Sequence, residues 1–555
     1  MSVPIPRPFV WLLAALAIVL SFDGLGSRKL ANPDEGRYSE ISREMAASND
    51  FVTPRLNGIK YFEKPPLQYW ATAIAFKVFG PSEWSARLYT ALCALGAILL
   101  AAWCARRCFD ADTALLTAAV LFSAPYFAAL GEVVTLDMGL TFWMTLAVTS
   151  YLIAERASTP ASRLRWLLLS WTGMAGAVLS KGLIGIVFPG AAIFLYCAWH
   201  RDFGRLARLA WLPGIALFLV LTAPWFALVS QANPEFLRFF FIHEHFERFT
   251  STAHRRTEAW WYFLPILFAG FLPWMVAILP AIRRAWRRAP QMDATGRAFA
   301  PLRLLVIFSL FILAFFSASG SKLPAYILPF FPVFAIVVAA YLKQCEPRLL
   351  AWMVLPVAPL ALAGAWAALR APARRGGDAF VQSLFVGMSE WVALAALVIA
   401  IAALVAFFLL RAQRKWTAIL VLSFATLGGI EMIERGYEKI SPLQSAHALA
   451  QSIRAKGLER ARIYEVAHHE QGLPFYLDRT VTLVEYLDEF ETGLKAEPGK
   501  AIARLADLPA AWNAPGEAVA IIQPSRLNEF KALGLSYEII HQDPRRLALQ
   551  KIPPA

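Results

Sequence analysis

Side chains that could act on a phosphorylated substrate are concentrated in a few polar segments of this sequence. The first segment, 32–38, reads NPDEGRY and places Asp34 and Glu35 in the first turn of a predicted helix, with Asn32 as its N-cap. An acid at this position can position a substrate or remove a proton. It can also simply complement the helix dipole. The sequence alone leaves both readings open.

A second segment, 61–70, surrounds Glu63 and Lys64 with aromatic residues and precedes a short apolar helix predicted at about 66–79. A lysine near lipid headgroups can extend its charge into water, and it can also hold a lipid phosphate. Charged residues also occur at the predicted ends of later helices and in the 230–259 segment. They are Glu132, Asp137, Lys181, Lys322, Arg238, His243, Glu244, His245, Glu247, Arg248, Arg255 and Arg256.

The polar segments separate long apolar runs. Of 555 residues, 58% are hydrophobic and 17% are charged, against roughly 45–50% and about 25% in soluble proteins. This composition excludes a soluble enzyme and a disordered chain. Since a bilayer crossing needs about 20 apolar residues, we predict a polytopic α-helical membrane protein with about thirteen spans. They lie near 8–25, 82–105, 112–130, 138–155, 166–180, 183–199, 209–229, 260–281, 303–318, 323–342, 349–369, 389–410 and 416–433.

Basic residues predict the orientation of the chain. The net charge of +14 comes largely from alternate short connections, such as the one that contains Arg283, Arg284, Arg287 and Arg288. Such connections are typical of the cytoplasmic side, so we assign this charge to topology rather than to nucleic-acid binding. The N-terminus is then cytoplasmic, and the polar segments share the outer face. A channel would instead carry its polar residues within the helices.

Residues 440–555 differ in composition from the rest of the chain. Helical stretches at 446–456, 500–505 and 525–532 alternate with β-like runs at 462–466, 480–484, 518–522 and 537–541. This alternation predicts a small soluble α/β domain on the outer side. None of the five cysteines lies in it, so no structural disulfide is expected there.

Several motifs resemble those of a known family. Asp34-Glu35-Gly36-Arg37-Tyr38, Leu56-Asn57-Gly58 and Tyr61-Phe62-Glu63-Lys64-Pro65-Pro66 are similar to the aminoarabinose transferases of lipid A. These belong with the protein O-mannosyltransferases among the C-type glycosyltransferases. Ser180-Lys181-Gly182, Arg248-Phe249 and Ser321-Lys322-Leu323-Pro324 with Tyr326 look like later motifs of that family. The resemblance covers residues 1–435, and residues 440–555 carry no motif that we can match.

The resemblance implies a C-type architecture in a bacterial inner membrane. It also implies transfer of 4-amino-4-deoxy-L-arabinose from undecaprenyl phosphate to a lipid A phosphate at the periplasmic face, and hence polymyxin resistance. The acids of the first two outer loops, Asp34 and Asp137, correspond to the family's catalytic positions. The expected phosphate- and substrate-binding residues are Lys64, Tyr61, Tyr38, Arg37, Arg248, Arg255, Arg256, Lys181, Lys322 and Tyr326.

Other readings stay open at this point. Glu63, His243 and His245 offer ligand types for a divalent metal, although we expect the reaction to require no cofactor. The chain could also be a relative of this family that transfers another sugar, such as mannose, to a protein. A transporter of undecaprenyl-linked lipids would be expected to show internal repeats and broken helices near the midplane, which we do not find. We expect a monomer whose partners are its donor, its acceptor and membrane lipids.

Overall fold

A computed structural model of the chain describes residues 14–15, 17–19, 22–240, 258–292, 296, 298–375 and 378–552. Its membrane part is a helical bundle. The helices are α1 (Asp34–Ser48), α2 (Leu67–Phe79), α3 (Glu83–Cys108), α4 (Ala111–Phe122), α5 (Pro125–Gly131), α6 (Leu136–Ala154), α7 (Pro160–Lys181), α8 (Ile184–His200), α9 (Trp211–Ala232), α10 (Phe263–Gly270), α11 (Ile278–Arg287), α12 (Pro301–Ala318), α13 (Phe330–Gln344), α14 (Pro347–Val354), α15 (Val357–Arg375), α16 (Ala379–Arg411) and α17 (Lys415–Tyr437).

Seven of the described helical segments are long and apolar enough to cross a membrane, or up to nine if each of two bent pairs is one span. A helix overlaps every span predicted from residue 82 onward, whereas the span predicted at 8–25 lies partly outside the described residues. One bent pair joins α4 to α5 at an angle of 70°. Ala124, between them, is extended because Pro125 follows it.

Two helices and a hairpin form the first long loop. Helix α1 buries Tyr38, Ile41 and Met45, the apolar edge expected from their spacing. Strands β1 (Arg55–Leu56) and β2 (Ile59–Lys60) pair antiparallel. Asn57 in the turn between them has a φ of 54° and Gly58 a φ of 73°, angles that suit these residue types. Helix α2 follows at the position that its apolar run predicts.

Strands β3 (Gln291–Met292) and β4 (Ala298–Phe299) pair antiparallel between α11 and α12. The C-terminal domain contains a six-stranded mixed sheet. Its strands are β5 (Arg462–Val466), β6 (Thr482–Val484), β7 (Ala501–Ile502), β8 (Ala518–Ile522), β9 (Tyr537–Gln542) and β10 (Leu547–Lys551). Their order in the sheet is β7–β6–β5–β8–β10–β9. Short helices α18 (Ser441–Gln444), α19 (His447–Ala455), α20 (Leu473–Leu477), α21 (Glu491–Ala496), α22 (Leu508–Asn513) and α23 (Leu527–Lys531) connect them. Strands β5, β6, β7 and β8 are parallel.

Strands β6 and β7, which follow β5 in the chain, lie on one side of β5 in the sheet. Strand β8, which comes later, lies on the other side of β5. The end of β5 is therefore a topological switch point, where α/β folds commonly bind ligands. Four of the predicted strands are present, but the helix predicted at 500–505 was wrong. That segment contains β7 and a 3₁₀ turn, because pairing of β7 with β6 outweighs a weak local helical pattern.

Buried side chains of the first loop and of the C-terminal domain form one cluster. Tyr38, Tyr61 and Tyr69 from the loop share it with Phe475 and Phe490 from the domain. This shared core fixes the domain against the loop instead of leaving it on a flexible tether.

Candidate functional site

Glu35, the acid next to Asp34, belongs to a buried network of ion pairs. Glu35 is fully buried and accepts hydrogen bonds from Arg28 and Arg87. Burial alone would raise the pKa of Glu35, but the attraction of the two guanidinium groups outweighs it and lowers the pKa to about 2. Glu35 therefore joins the segment before α1 to α3 as a permanent anion.

Asp34, the candidate catalytic acid, begins α1 and leaves 46% of its side chain exposed. Its Oδ1 atom lies 3.5 Å from Nη1 of Arg37, one turn further along the helix. Burial opposes the charge of Arg37, but neighbouring acidic side chains raise the pKa of the guanidinium well above its usual value. An exposed acid beside a buried permanent cation is an arrangement that can hold an ionic substrate.

Tyr38 and Tyr61 lie beside Arg37, and Tyr69 lies beside both tyrosines. The rings of Tyr38 and Tyr69 are 6.1 Å apart, and Tyr61 is 1% exposed. Burial and nearby Glu63 raise the pKa of Tyr61 well above its usual range, so its hydroxyl remains a proton donor. Within the described ranges, this hydroxyl and the Nε atom of Arg37 are both buried and have no hydrogen-bond partner. Buried donors of this kind are suited to a substrate oxygen.

Glu63 and Lys64 follow Tyr61 in the segment that precedes α2. The ammonium of Lys64 donates to the carbonyl oxygen of Glu63 over 2.8 Å, and the side chain is only partly buried. The ammonium of Lys64 is thus held by its neighbour in the chain, and its contact with a lipid phosphate stays a prediction.

A second cluster forms where α6 begins and α7 ends. The ammonium of Lys181 makes a short ion pair with Asp137 and lies 4.7 Å from the ring centre of Tyr326. Leu136, directly before Asp137, packs in the same buried cluster as Tyr38 and the other loop tyrosines. The structure thus brings together three predicted site residues, Asp137, Lys181 and Tyr326, and places them next to the first loop.

Lys322, in the turn after α12, has a more local contact. It is buried and donates to the carbonyl oxygen of Ser319 over 2.6 Å. In the described contacts it therefore stabilises this turn, and its role as a substrate-binding residue stays a prediction.

Residues of the first motif also contact the C-terminal domain. The sequence predicts that Asn32 caps α1, but this prediction is wrong. Its amide nitrogen instead donates to Glu470 over 2.7 Å, and its side-chain oxygen accepts from the backbone of Gly472. A Cβ atom on Gly36 would lie 2.5 Å from the nitrogen of Gly472. The glycine of this motif is thus required by close contact with the domain.

The same domain supplies an acid to the site. Glu489 contacts the Nη2 atom of Arg37 at 2.5 Å, and Gln471 donates to the other oxygen of Glu489 over 2.8 Å. Sequence reasoning missed Glu489, because it is about 450 residues from Arg37 and no local pattern distinguishes it from a surface acid.

Five predicted residues lie outside the described residues: His243, His245, Arg248, Arg255 and Arg256. In the part of the chain that is described, no group of three His, Cys, Asp or Glu side chains could hold a metal ion. The structure therefore provides only Glu63 of the three proposed metal ligands.

Comparisons with known proteins identify relatives of this chain. Residues 449–551 match the family model "Aminoarabinose transferase C-terminal domain", and residues 9–240 match "Dolichyl-phosphate-mannose-protein mannosyltransferase". An undecaprenyl phosphate-alpha-4-amino-4-deoxy-L-arabinose arabinosyl transferase from Erwinia tasmaniensis is 33% identical over 314 residues, which cover 56% of this chain and 55% of that relative. The chain thus spans about half the length of this curated relative in the alignment.

Two solved structures are similar along nearly the whole chain. ArnT from Cupriavidus metallidurans bound to undecaprenyl phosphate has a TM-score of 0.92 and 34% identity, with 99% of both chains covered. Its apo form has a TM-score of 0.89, with 98% of both chains covered. The fold and the site define a multi-pass membrane glycosyltransferase of the C-type. Within that class, the chain belongs to the aminoarabinose transferase family.

Proposed function

We propose that this protein transfers 4-amino-4-deoxy-L-arabinose from undecaprenyl phosphate to a phosphate of lipid A. The match over 99% of both chains to ArnT bound to undecaprenyl phosphate carries the proposal. The names of the relatives do not favour transfer of mannose or lipid transport. We further propose that the protein acts as a monomer.

The step that we propose is a displacement at the anomeric carbon. An ionised oxygen of the lipid A phosphate forms a bond to this carbon, and the bond to the carrier phosphate oxygen breaks. Undecaprenyl phosphate leaves with the electron pair. Since negative charge develops on the leaving phosphate, fixed cations and donors around it provide the main stabilisation. Arg37, Lys64 and the Tyr61 hydroxyl are suited to this role by their charge and placement.

A phosphate acceptor changes what the acids must do. A phosphate monoester has a second pKa near 6 and is already mostly ionised at neutral pH. The acceptor therefore needs no strong base. We infer that Asp34, which is half-exposed, binds the ammonium of the sugar or positions the acceptor. Asp137, which is paired with Lys181, then balances the positive charge of that lysine.

We also propose that the site and the C-terminal domain face the periplasm and that the N-terminus is cytoplasmic. Helix α3 supports this orientation. Its first residue, Glu83, accepts a hydrogen bond from Tyr476 of the C-terminal domain, whereas its last turn carries Arg106 and Arg107. Basic residues at the end opposite the domain are typical of the cytoplasmic side.

Labelling of single cysteines in whole cells tests this orientation. The five native cysteines are all buried, so their background labelling will be low. Ser525 and Arg107 are both exposed. We expect a membrane-impermeant thiol reagent to label Ser525→Cys in intact cells and Arg107→Cys only after lysis. The reverse result would invert the topology.

Mass spectrometry of lipid A tests the activity. A bacterial strain that lacks its own aminoarabinose transferase, but still makes the donor, should gain aminoarabinose-modified lipid A when it expresses this protein. Asp34→Asn should be expressed and inserted normally but give no product. Unmodified lipid A in cells that contain folded wild-type protein would contradict the proposal, and a different mass increment would identify another sugar.

A further inference from the structure

We propose that Glu489 of the C-terminal domain is a positioning residue of the transferase site, where it holds the guanidinium of Arg37. The proposal rests on the transfer activity proposed above. It assigns a role to the C-terminal domain, which carries no recognisable catalytic motif: the domain completes the site that the membrane part begins.

The contact between Glu489 and Arg37 is shielded from solvent. Glu489 Oε2 lies 2.5 Å from Nη2 of Arg37, with the two side chains 8% and 14% exposed. A charge-assisted hydrogen bond is strong in such surroundings, and removal of one partner leaves the other charge buried and unpaired. This contact is therefore the main restraint on the position of the guanidinium.

Glu489 is itself fixed by the domain. Its Oε1 atom accepts from Gln471 over 2.8 Å, and Gln471 belongs to the segment that follows β5 at the switch point of the sheet. The next residue, Phe490, is fully buried in the core shared with the loop. Both carboxylate oxygens thus have defined partners, so the acid is rigid enough to orient an arginine.

Orientation of Arg37 has a direct consequence for the catalytic acid. Nη1 of Arg37 lies 3.5 Å from Asp34, a full 1 Å further than Nη2 lies from Glu489. Without Glu489, the guanidinium would be drawn closer to Asp34. Glu489 therefore limits the approach of Arg37 to Asp34 and directs the buried Nε donor of Arg37, which has no partner among the described residues.

The test compares purified full-length variants in donor-to-lipid A transfer assays. Glu489→Gln keeps the volume and removes the charge, and we expect it to lower kcat/KM by about tenfold or more. Glu489→Asp keeps the charge and should recover part of this loss. The matched control is Glu538→Gln, which replaces a half-exposed acid of the same domain that pairs with Lys456. The control should keep wild-type kinetics.

A double-mutant cycle separates positioning from a general structural effect. In an Arg37→Lys background, Glu489→Gln should cause little further loss, because its effect passes through Arg37. If Arg37→Lys is itself inactive, affinity for undecaprenyl phosphate provides the same cycle. If Glu489→Gln does not fold, Gln471→Met removes only the supporting hydrogen bond and should lower kcat/KM by a smaller factor at an unchanged thermal midpoint.

Wild-type kcat/KM in folded Glu489→Gln, or in folded Gln471→Met where that variant replaces it, would overturn the proposal. An equal fold-loss in the wild-type and Arg37→Lys backgrounds would also overturn it. A wild-type protein that transfers no aminoarabinose would instead refute the proposed function. The two failures are therefore distinguishable.

Discussion

Replacement of Glu35 by glutamine should destabilise the protein, although the residue is next to Asp34, the proposed catalytic acid. Its carboxylate accepts five hydrogen bonds, from Arg28, twice from Arg87, and from the backbone of Ala31 and Val134. Glutamine keeps the shape but removes the charge and turns an NH2 group towards these donors. Loss of one partner from a buried ion pair typically costs about 3–5 kcal/mol.

The lowered pKa of Glu35 predicts a similar loss of folding stability. A carboxyl group whose pKa falls from 4.5 to about 2 on folding contributes about 3 kcal/mol to stability at neutral pH. Because the folded-state pKa is the lower one, this contribution is complete above about pH 4.5 and is lost as the pH falls towards 2. The wild type should therefore lose stability over this range, and Glu35→Gln should lose less.

Thermal denaturation of the detergent-solubilised protein, followed by fluorescence-detected size-exclusion chromatography, measures the effect. Asp34→Asn is the matched comparison, because the neighbouring acid is half-exposed. We expect Glu35→Gln to lower the midpoint by several degrees and Asp34→Asn to leave it nearly unchanged. The opposite order, or a Glu35→Gln midpoint equal to the wild type at neutral pH, would refute the assignment of Glu35 to a structural network.

Three further experiments test other contacts. Asp137→Asn and Lys181→Met should each abolish most transfer, and the double variant should lose no more than either single one, which a double-mutant cycle measures. Lys64→Ala should weaken inhibition by undecaprenyl phosphate about ten- to a hundredfold, whereas Lys77→Ala, an exposed lysine on α2, should not; equal inhibition in both would place the phosphate elsewhere. Gly36→Ala should destabilise docking of the C-terminal domain by about 1–3 kcal/mol, seen as faster cleavage by a protease, and a wild-type cleavage rate would count against the close contact.

Much of the architecture could be predicted because it follows from local patterns. Long apolar runs predict membrane helices whatever their partners are, and α2 was found where its run lies. Strands β5 and β8 were predicted to the residue, because they are short apolar runs bounded by polar turns. Asp137 and Lys181 were each selected as charged residues at helix ends, and the structure pairs them.

The wrong or missing predictions all depend on long-range partners. Asn32 has the residue type of an N-cap, but two groups from the C-terminal domain bind its side chain instead. Glu489 has the local sequence of a surface acid, and only the fold buries it against Arg37. A single sequence does not show which distant residue a buried charge will contact. These contacts could therefore be identified only from the structure.

The docking of residues 470–489 onto α1 determines when during synthesis the site can form. Asn32 and Glu470 are 438 residues apart in the sequence, and translation at about 5–20 residues per second takes roughly 20–90 s to cover that distance. Throughout this interval, the motif of the first loop is in place while the groups that hold Asn32 and Arg37 do not yet exist. An incompletely synthesised chain therefore has the acids and cations of the candidate site without the groups that hold them, and the site forms only when the C-terminal domain, residues 440–555, has folded.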